Sequence, residues 1–408
     1  MDTGLEWRIL RRAPWPELAL AVAALLLSGL GAEVYLRRFH PLDATIYRLH
    51  PRYLHALIPG GRKLFVHRPG NGGKVLVSVN SSGFRGPELA REKRRPRAVV
   101  YGDSFVAAEF SPVEHSFVGR LGAQLADALG TPVEMVNAGV PGYGPDQAAL
   151  RIEDEIGPLA PDLIVVAVFA GNDFGDLVRN KLFRLDAEAH LVVNAWTLAP
   201  QLEREFSRAE RLLHQSMLWR GLRSLAAPET GRSTRTTRLL PEGGFSLLME
   251  KRQREFLEYA GGADNEVRQL LGDPYDADLS LAPGSDSARG KRELMEGVLA
   301  RIAATAGARR VPVLFVFVPS AFDVCDGWQE RVDARVFPAY RRDALTSALA
   351  EIAERRGLRY VNLYPPFREA GADSLYYRGD EHWNDAGQAL AADLTGALVI
   401  SNGWLRKP

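Results

Sequence analysis

The sequence predicts an α/β fold: a three-layer α/β/α sandwich on a parallel sheet, preceded by an N-terminal transmembrane helix and interrupted by a helical insertion. Three observations predict it. Apolar, β-branched runs at 98–101, 133–136 and 163–169 lack polar alternation, as strands buried on both faces of a parallel sheet do. From residue 96 the chain alternates strand, loop and helix, which implies right-handed crossovers with helices on both faces. Residues 18–36 form a continuous apolar stretch with one charge, Glu33, near its end.

Taken in order, the first element is the apolar stretch. At about 1.5 Å of rise per residue it just spans a hydrocarbon core of roughly 30 Å. Arg8, Arg11 and Arg12 flank it on one side, Arg37 and Arg38 on the other. No persuasive small-x-small cleavage site precedes Glu33, so an uncleaved signal anchor is expected rather than a cleaved signal peptide or a buried core helix. The arginines are balanced, but long carboxyl-terminal domains cross largely regardless of charge, so residues 40–408 are expected outside the cytoplasm.

Residues 40–95 are a proline-punctuated lead-in expected to pack on the main domain, with a short strand at 74–79. The first half of the core occupies 96–176. Its helix at 117–129 carries apolar residues at helical spacing and stops at Gly130; a second runs from 147 to 156. At about Asp176 the rhythm breaks. Residues 177–289 hold amphipathic stretches at 202–222 and 249–271, a polar run at 228–237 and a loop at 281–290, and are expected to form a helical cap or lid. The second half, 290–408, resumes with a helix at 291–306, a strand at 311–318, a helix at 339–356, a strand at 359–363 and a last helix at 385–398 with Asn384 or Asp385 as N-cap.

Composition narrows the function. The 408 residues, 46% apolar and 25% charged, describe an ordinary globular core in one enlarged domain or two to three domains. A net charge of +1 leaves no excess of cations to neutralise phosphates, which excludes a dedicated nucleic-acid binder. The single cysteine, Cys325, excludes an intramolecular disulfide framework and a multi-cysteine zinc site; it reads as a small, partly buried residue after a strand.

The chemistry lies in four segments: Gly102-Asp103-Ser104-Phe105, Asn137 to Gly142, Gly171-Asn172-Asp173 and Asp380-Glu381-His382. The first three follow predicted strands, whose carboxyl ends converge on one crevice in an open α/β sheet. A serine hydroxyl holds its proton too tightly to attack unaided, and needs a base whose tautomer is fixed by a third group. His382 supplies the imidazole and Asp380 the orienting carboxylate. The backbone N–H groups of Ser104 and Gly142 and the side-chain amide of Asn172 are candidate donors to an oxyanion. Asp103 is expected to accept backbone hydrogen bonds in the nucleophile turn, and Asp173 to cap the following helix. No G-x-S-x-G elbow occurs, which counts against an α/β-hydrolase host.

These segments, in this order, resemble the SGNH (GDSL) hydrolase superfamily over roughly 96–176 and 308–400. Ser104 matches its nucleophile block, Gly142 and Asn172 its two oxyanion blocks, and Asp380 with His382 its terminal block. The resemblance implies a flavodoxin-like fold, ester substrates and no metal or organic cofactor. The family commonly leaves two residues between the aspartate and the histidine; here only Glu381 intervenes, with Trp383 following. That variant is similar to the terminal block of membrane-associated polysaccharide O-acetyltransferases.

The leading expectation is therefore a membrane-anchored serine esterase, acting on an acyl ester with acylated glycans and lipids among the implied substrates. An O-acyltransferase modifying an extracytoplasmic polysaccharide is the alternative, with a sugar hydroxyl resolving the same acyl-serine. A non-catalytic glycan-binding protein on the same fold is the third.

Overall fold

The computed structural model describes residues 15–39, 45–67, 73–210, 216–219, 243–262, 265–272 and 274–405. Five parallel strands form its central sheet: β1 (Arg97–Gly102), β2 (Glu134–Gly139), β3 (Leu163–Phe169), β4 (Val313–Val318) and β5 (Tyr360–Asn362). They lie in the order β2-β1-β3-β4-β5, the doubly wound order of flavodoxin-like sheets.

Loss of alternation in the strand sequences has its cause in two cores. Val99, Tyr101, Ile164, Val166, Phe315 and Phe317 face one of them, with helices α3 (Pro145–Leu159), α6 (Asp286–Ala308) and α7 (Ala344–Arg355). Ala98, Val100, Val165, Ala167, Leu314 and Val316 face the other, against α2 (Phe117–Leu129) and α8 (Asp385–Ser401). Successive residues of one strand thus enter opposite apolar layers, giving the three-layer sandwich. Helix α2 starts at Ser116, whose Oγ accepts from Gly119 N–H, and stops at Gly130 in the left-handed conformation. Helix α8 is capped by Asn384, which accepts from the N–H groups of Ala386 and Gly387.

The lead-in packs on this core. Two hairpins, Tyr47–His50 with Leu54–Leu57 and Arg62–His67 with Gly73–Ser78, precede Arg85, whose N–H donates to the carbonyl of Asn137 in β2 at 3.2 Å. Ahead of them α1 (Trp15–Phe39) is long and apolar enough to cross a membrane, with none of its apolar window buried.

The insertion departs from expectation in its details. Helix α5 (Gly244–Ala260) ends at the Gly261-Gly262 pair rather than continuing to Leu271, because consecutive glycines withdraw the backbone preference that sustained it. The earlier helix covers Pro200–Glu210, short of the expected end at 222. Residues 211–215, 220–222 and the polar run at 228–237 lie outside the described residues. Helix α6 begins at Asp286, five residues before the expected start, because Ser285 Oγ accepts from Ala288 N–H. Short strands accompany the helices: Phe183–Leu185 pairs antiparallel with Leu191–Val193, and Thr197–Leu198 parallel with Glu266–Val267. Two or three residues are too few to show a period. A buried ion pair anchors the junction, with Lys291 Nζ 2.9 Å from Asp278 and 3.4 Å from Asp276, all three side chains inaccessible.

Candidate active site

β1 runs directly into Gly102, Asp103 and the short helix Ser104–Ala107. Glycine is required at 102 because a Cβ there would stand 2.6 Å from Val106 Cγ2 and 3.2 Å from Ala167 Cβ. Asp103 Oδ1 accepts from Phe105 N–H at 2.9 Å, as expected, and so caps the short helix. Ser104 therefore sits at a helix start, partly buried, at the carboxyl end of an interior strand.

His382 comes to this hydroxyl from the far end of the chain. Its Nε2 is 2.8 Å from Ser104 Oγ, and its Nδ1 is 2.5 Å from Asp380 Oδ1. The same carboxylate oxygen accepts the His382 backbone N–H at 2.9 Å, so a single intervening residue suffices to seat the carboxylate against the ring. A carboxylate at Nδ1 favours the proton there, leaving the Nε2 lone pair to accept the serine proton. The loop itself is closed by Tyr377 N–H donating to His382 carbonyl at 3.0 Å and Asp380 N–H to Tyr377 carbonyl at 3.1 Å. Trp383, buried against Phe105, Phe117 and Phe367, nails the loop to the core. Phe105 and Phe110 flank the imidazole, with ring centroids 5.1 and 5.8 Å away.

Gly142 occupies the turn after β2 with φ +76°, a conformation that L side chains rarely adopt. Its missing Cβ would lie 2.4 Å from the Leu270 carbonyl oxygen and 3.0 Å from Leu271 Cα, so the insertion abuts this turn. Asn172 is buried at the N-cap position of α4 (Asp173–Asn180). Arg179 donates to its carbonyl at 3.0 Å, and Asp276 N–H to the neighbouring Gly171 carbonyl at 2.8 Å.

Asp173 corrects the sequence reading. Asn172 takes the cap position, while Asp173 is the first helical residue and folds back to accept Phe169 N–H at 2.7 Å. Burial, then the nearby Asp103 and Asp176, push its carboxyl well above the usual range. Cys325 is buried rather than partly so, and burial raises its thiol to about 12, which keeps it protonated.

Several supporting residues carried no sequence signal. Arg85, from the lead-in, donates to the carbonyls of Ala107, Ala108 and Ser111 and so braces the end of the nucleophile helix. Burial lowers its pKa to about 10, still high enough to keep the guanidinium charged at neutral pH. His55 lies fully buried with Nε2 3.0 Å from the Pro141 carbonyl, next to Gly142, and burial lowers it to about 4, so it is neutral there. Glu109 receives the Tyr47 hydroxyl at 2.5 Å; burial raises its carboxyl against the pull of Tyr47, Lys63, Arg85 and His382. All are brought in by contacts across tens of residues.

Residues 100–390 match the sequence profile of the GDSL-like lipase/acylhydrolase family. No curated protein matches the chain. Among solved structures, it is similar to a lipase/acylhydrolase from Enterococcus faecalis, at 12% identity and TM-score 0.32, over 77% of this chain and 98% of that one. It is also similar to a GDSL-like lipase from Bacteroides thetaiotaomicron, at 15% identity and TM-score 0.35, over 77% and 93%. A mutant acetyl-xylooligosaccharide esterase from Geobacillus is similar at 12% identity and TM-score 0.35, over 77% and 97%.

Proposed function

This chain belongs to the GDSL-like lipase/acylhydrolase family, and on that footing we propose that it is a serine-dependent acylhydrolase held at a membrane by α1. The observation that carries the reading is the continuous hydrogen-bonded line from Asp380 through His382 to Ser104. Ser104 Oγ attacks the ester carbonyl carbon while its proton passes to His382 Nε2. The carbonyl π pair moves to oxygen, where the N–H groups of Ser104 and Gly142 and the Asn172 amide receive the charge. Collapse breaks the bond to the leaving alcohol, which takes the proton from His382 and leaves acyl-Ser104. Water then adds, gives its proton to His382, and the acid departs as Ser104 recovers that proton.

Hydrolysis of a small chromogenic acetate is the test. It should vanish in Ser104→Ala with circular dichroism unchanged, and a fluorophosphonate should add its mass at Ser104 of the parent. Undiminished turnover in Ser104→Ala would overturn the mechanism. A parent that never reacts with the fluorophosphonate would favour the non-catalytic glycan-binding reading.

The Asp380-Glu381-His382-Trp383 spacing supports a second reading, acyl transfer to an extracytoplasmic glycan hydroxyl. It requires that an oligosaccharide discharge the acyl-enzyme faster than water does; no acceleration by any glycan acceptor removes it. Both readings place residues 40–408 outside the cytoplasm. In intact spheroplasts, protease should then digest the catalytic region, and complete protection would mean the reverse topology.

A further inference from the structure

Where α1 leaves its apolar stretch, it is joined by two distant parts of the chain. Glu33 accepts hydrogen bonds from Ser216 Oγ at 2.9 Å, Met217 N–H at 2.9 Å and Leu218 N–H at 2.8 Å, all within the insertion. One turn on, Arg62 of the lead-in donates to the Arg38 carbonyl at 3.1 Å. Around this junction Tyr35, Phe39, Leu218 and Trp219 are exposed, the last 52% so. Tyr35 and Phe39 lie with ring centroids 5.2 Å apart, and the Arg38 guanidinium sits 5.5 Å over Phe39.

From Glu33 to Phe39 the helix rises about 9 Å, from the last turn of the apolar stretch at 18–36 into the headgroup layer, which is roughly 5 to 8 Å thick beyond the hydrocarbon core. Amphipathic aromatics and arginines together at that level are what a lipid interface accommodates, the rings at the carbonyls and the guanidinium groups at the phosphates. Arg37 is paired with Glu33 at 2.6 Å, but a second copy meeting the same face would bring Arg38 and Arg62 of one chain toward those of the other, a like-charge contact.

We infer that residues 216–219 are a second membrane contact: tethered by Glu33, they lay Leu218 and Trp219 into the headgroup region of an anionic bilayer beside the exit of α1. The insertion, whose Leu270 abuts Gly142 and whose Asp276 holds Gly171, is thereby fixed to the bilayer surface at a separate point. This goes beyond the serine chemistry and does not depend on it, but it rests on the membrane anchoring by α1 in the proposed function, which the label at Leu25→Cys reads separately.

The experiment uses the full chain in nanodiscs of phosphatidylcholine with phosphatidylglycerol, with Cys325→Ser and Leu218→Cys carrying a polarity-sensitive fluorophore. Blue-shifted emission is expected, quenched several-fold more strongly by lipids with a shallow nitroxide than by aqueous iodide. In Glu33→Ala the lipid quenching at 218 should fall several-fold, while a label at Leu25→Cys keeps its own. A 218 label open to iodide and indifferent to nitroxide lipids would overturn the contact; shielding from both quenchers would assign the face to protein and overturn it equally. Full lipid quenching retained in Glu33→Ala would overturn the tether. Because fluorescence reads no turnover, the measurement repeats in Ser104→Ala, and its outcome is separate from that of the serine mechanism.

Discussion

His382 Nε2 lies 2.8 Å from Ser104 Oγ although 278 residues separate them along the chain. Each partner is located by its own anchor. Ser104 is fixed by the end of β1, where Gly102 has no room for a side chain, and by Arg85 at the far end of its short helix. His382 is fixed by Trp383 in the core below and by Asn384 at the start of α8. Their separation is thus a property of the sheet and its packed helices, which is what a preorganised proton transfer requires.

Asp380→Asn tests the orienting carboxylate. An amide presents an N–H to Nδ1 as readily as an oxygen, so the ring can place its proton on Nε2 and lose the ability to accept from Ser104. With geometry nearly intact, kcat should fall by about 10³ to 10⁴ with KM little changed. Steady-state kinetics on a chromogenic acetate would read this, and a loss under tenfold would deny Asp380 the role.

Asn172→Ala removes an amide that makes no cap hydrogen bond to α4. If that amide meets the oxyanion, kcat should drop about 10² to 10³ while KM moves little, since the charge exists only in the transition state. A change confined to KM would make Asn172 a ground-state contact instead.

Much of this arrangement was legible in the sequence, and the rest was hidden for identifiable reasons. The strands at 163–169 and the helix at 117–129 coincide with β3 and α2 to the residue, because a buried parallel strand and a glycine-terminated amphipathic helix are dictated locally. Ser104, Gly142 and Asn172 could be named because their segments follow strand ends, whereas Asp380 and His382, beyond the helix Tyr364–Glu369, were named from the carboxylate two residues before the histidine. What a sequence does not display is support from afar. His55 looks like any histidine until the fold sets it under Pro141, and Asp276 like any loop aspartate until its N–H meets Gly171. The insertion was misread where glycines cut a helix short and where strands of two residues formed only by pairing with each other.

His55→Leu would leave the Pro141 carbonyl without its donor in a dry environment. An unsatisfied buried acceptor costs about 1 to 3 kcal/mol, so the unfolding midpoint should fall accordingly. Because Pro141 leads into Gly142, kcat should decline along with it, and His55→Gln, which restores an amide donor, should recover part of both. A Leu variant as stable and active as the parent would show the contact to be idle.

Asp146 offers a pH test of the buried carboxyls. It is 1% exposed; its Oδ1 accepts from Gln147 N–H at 2.9 Å and Asn180 Nδ2 at 3.1 Å. Burial nonetheless raises it to about 7, with those bonds and Arg179 opposing. The unfolded chain releases this proton near pH 4, the folded one near 7. Between those values the native state binds the extra proton, so stability falls as pH rises, on the order of 1 kcal/mol per unit, and is flat on either side of the window. Asp146→Asn keeps an acceptor for both donors but carries no charge to desolvate. Its thermal midpoint should therefore hold where the parent's declines from pH 4 to 7, so that the variant gains on the parent with rising pH. Parallel profiles for the two proteins would show that Asp146 is charged, or equally protonated in both states, and that another carboxyl governs the response.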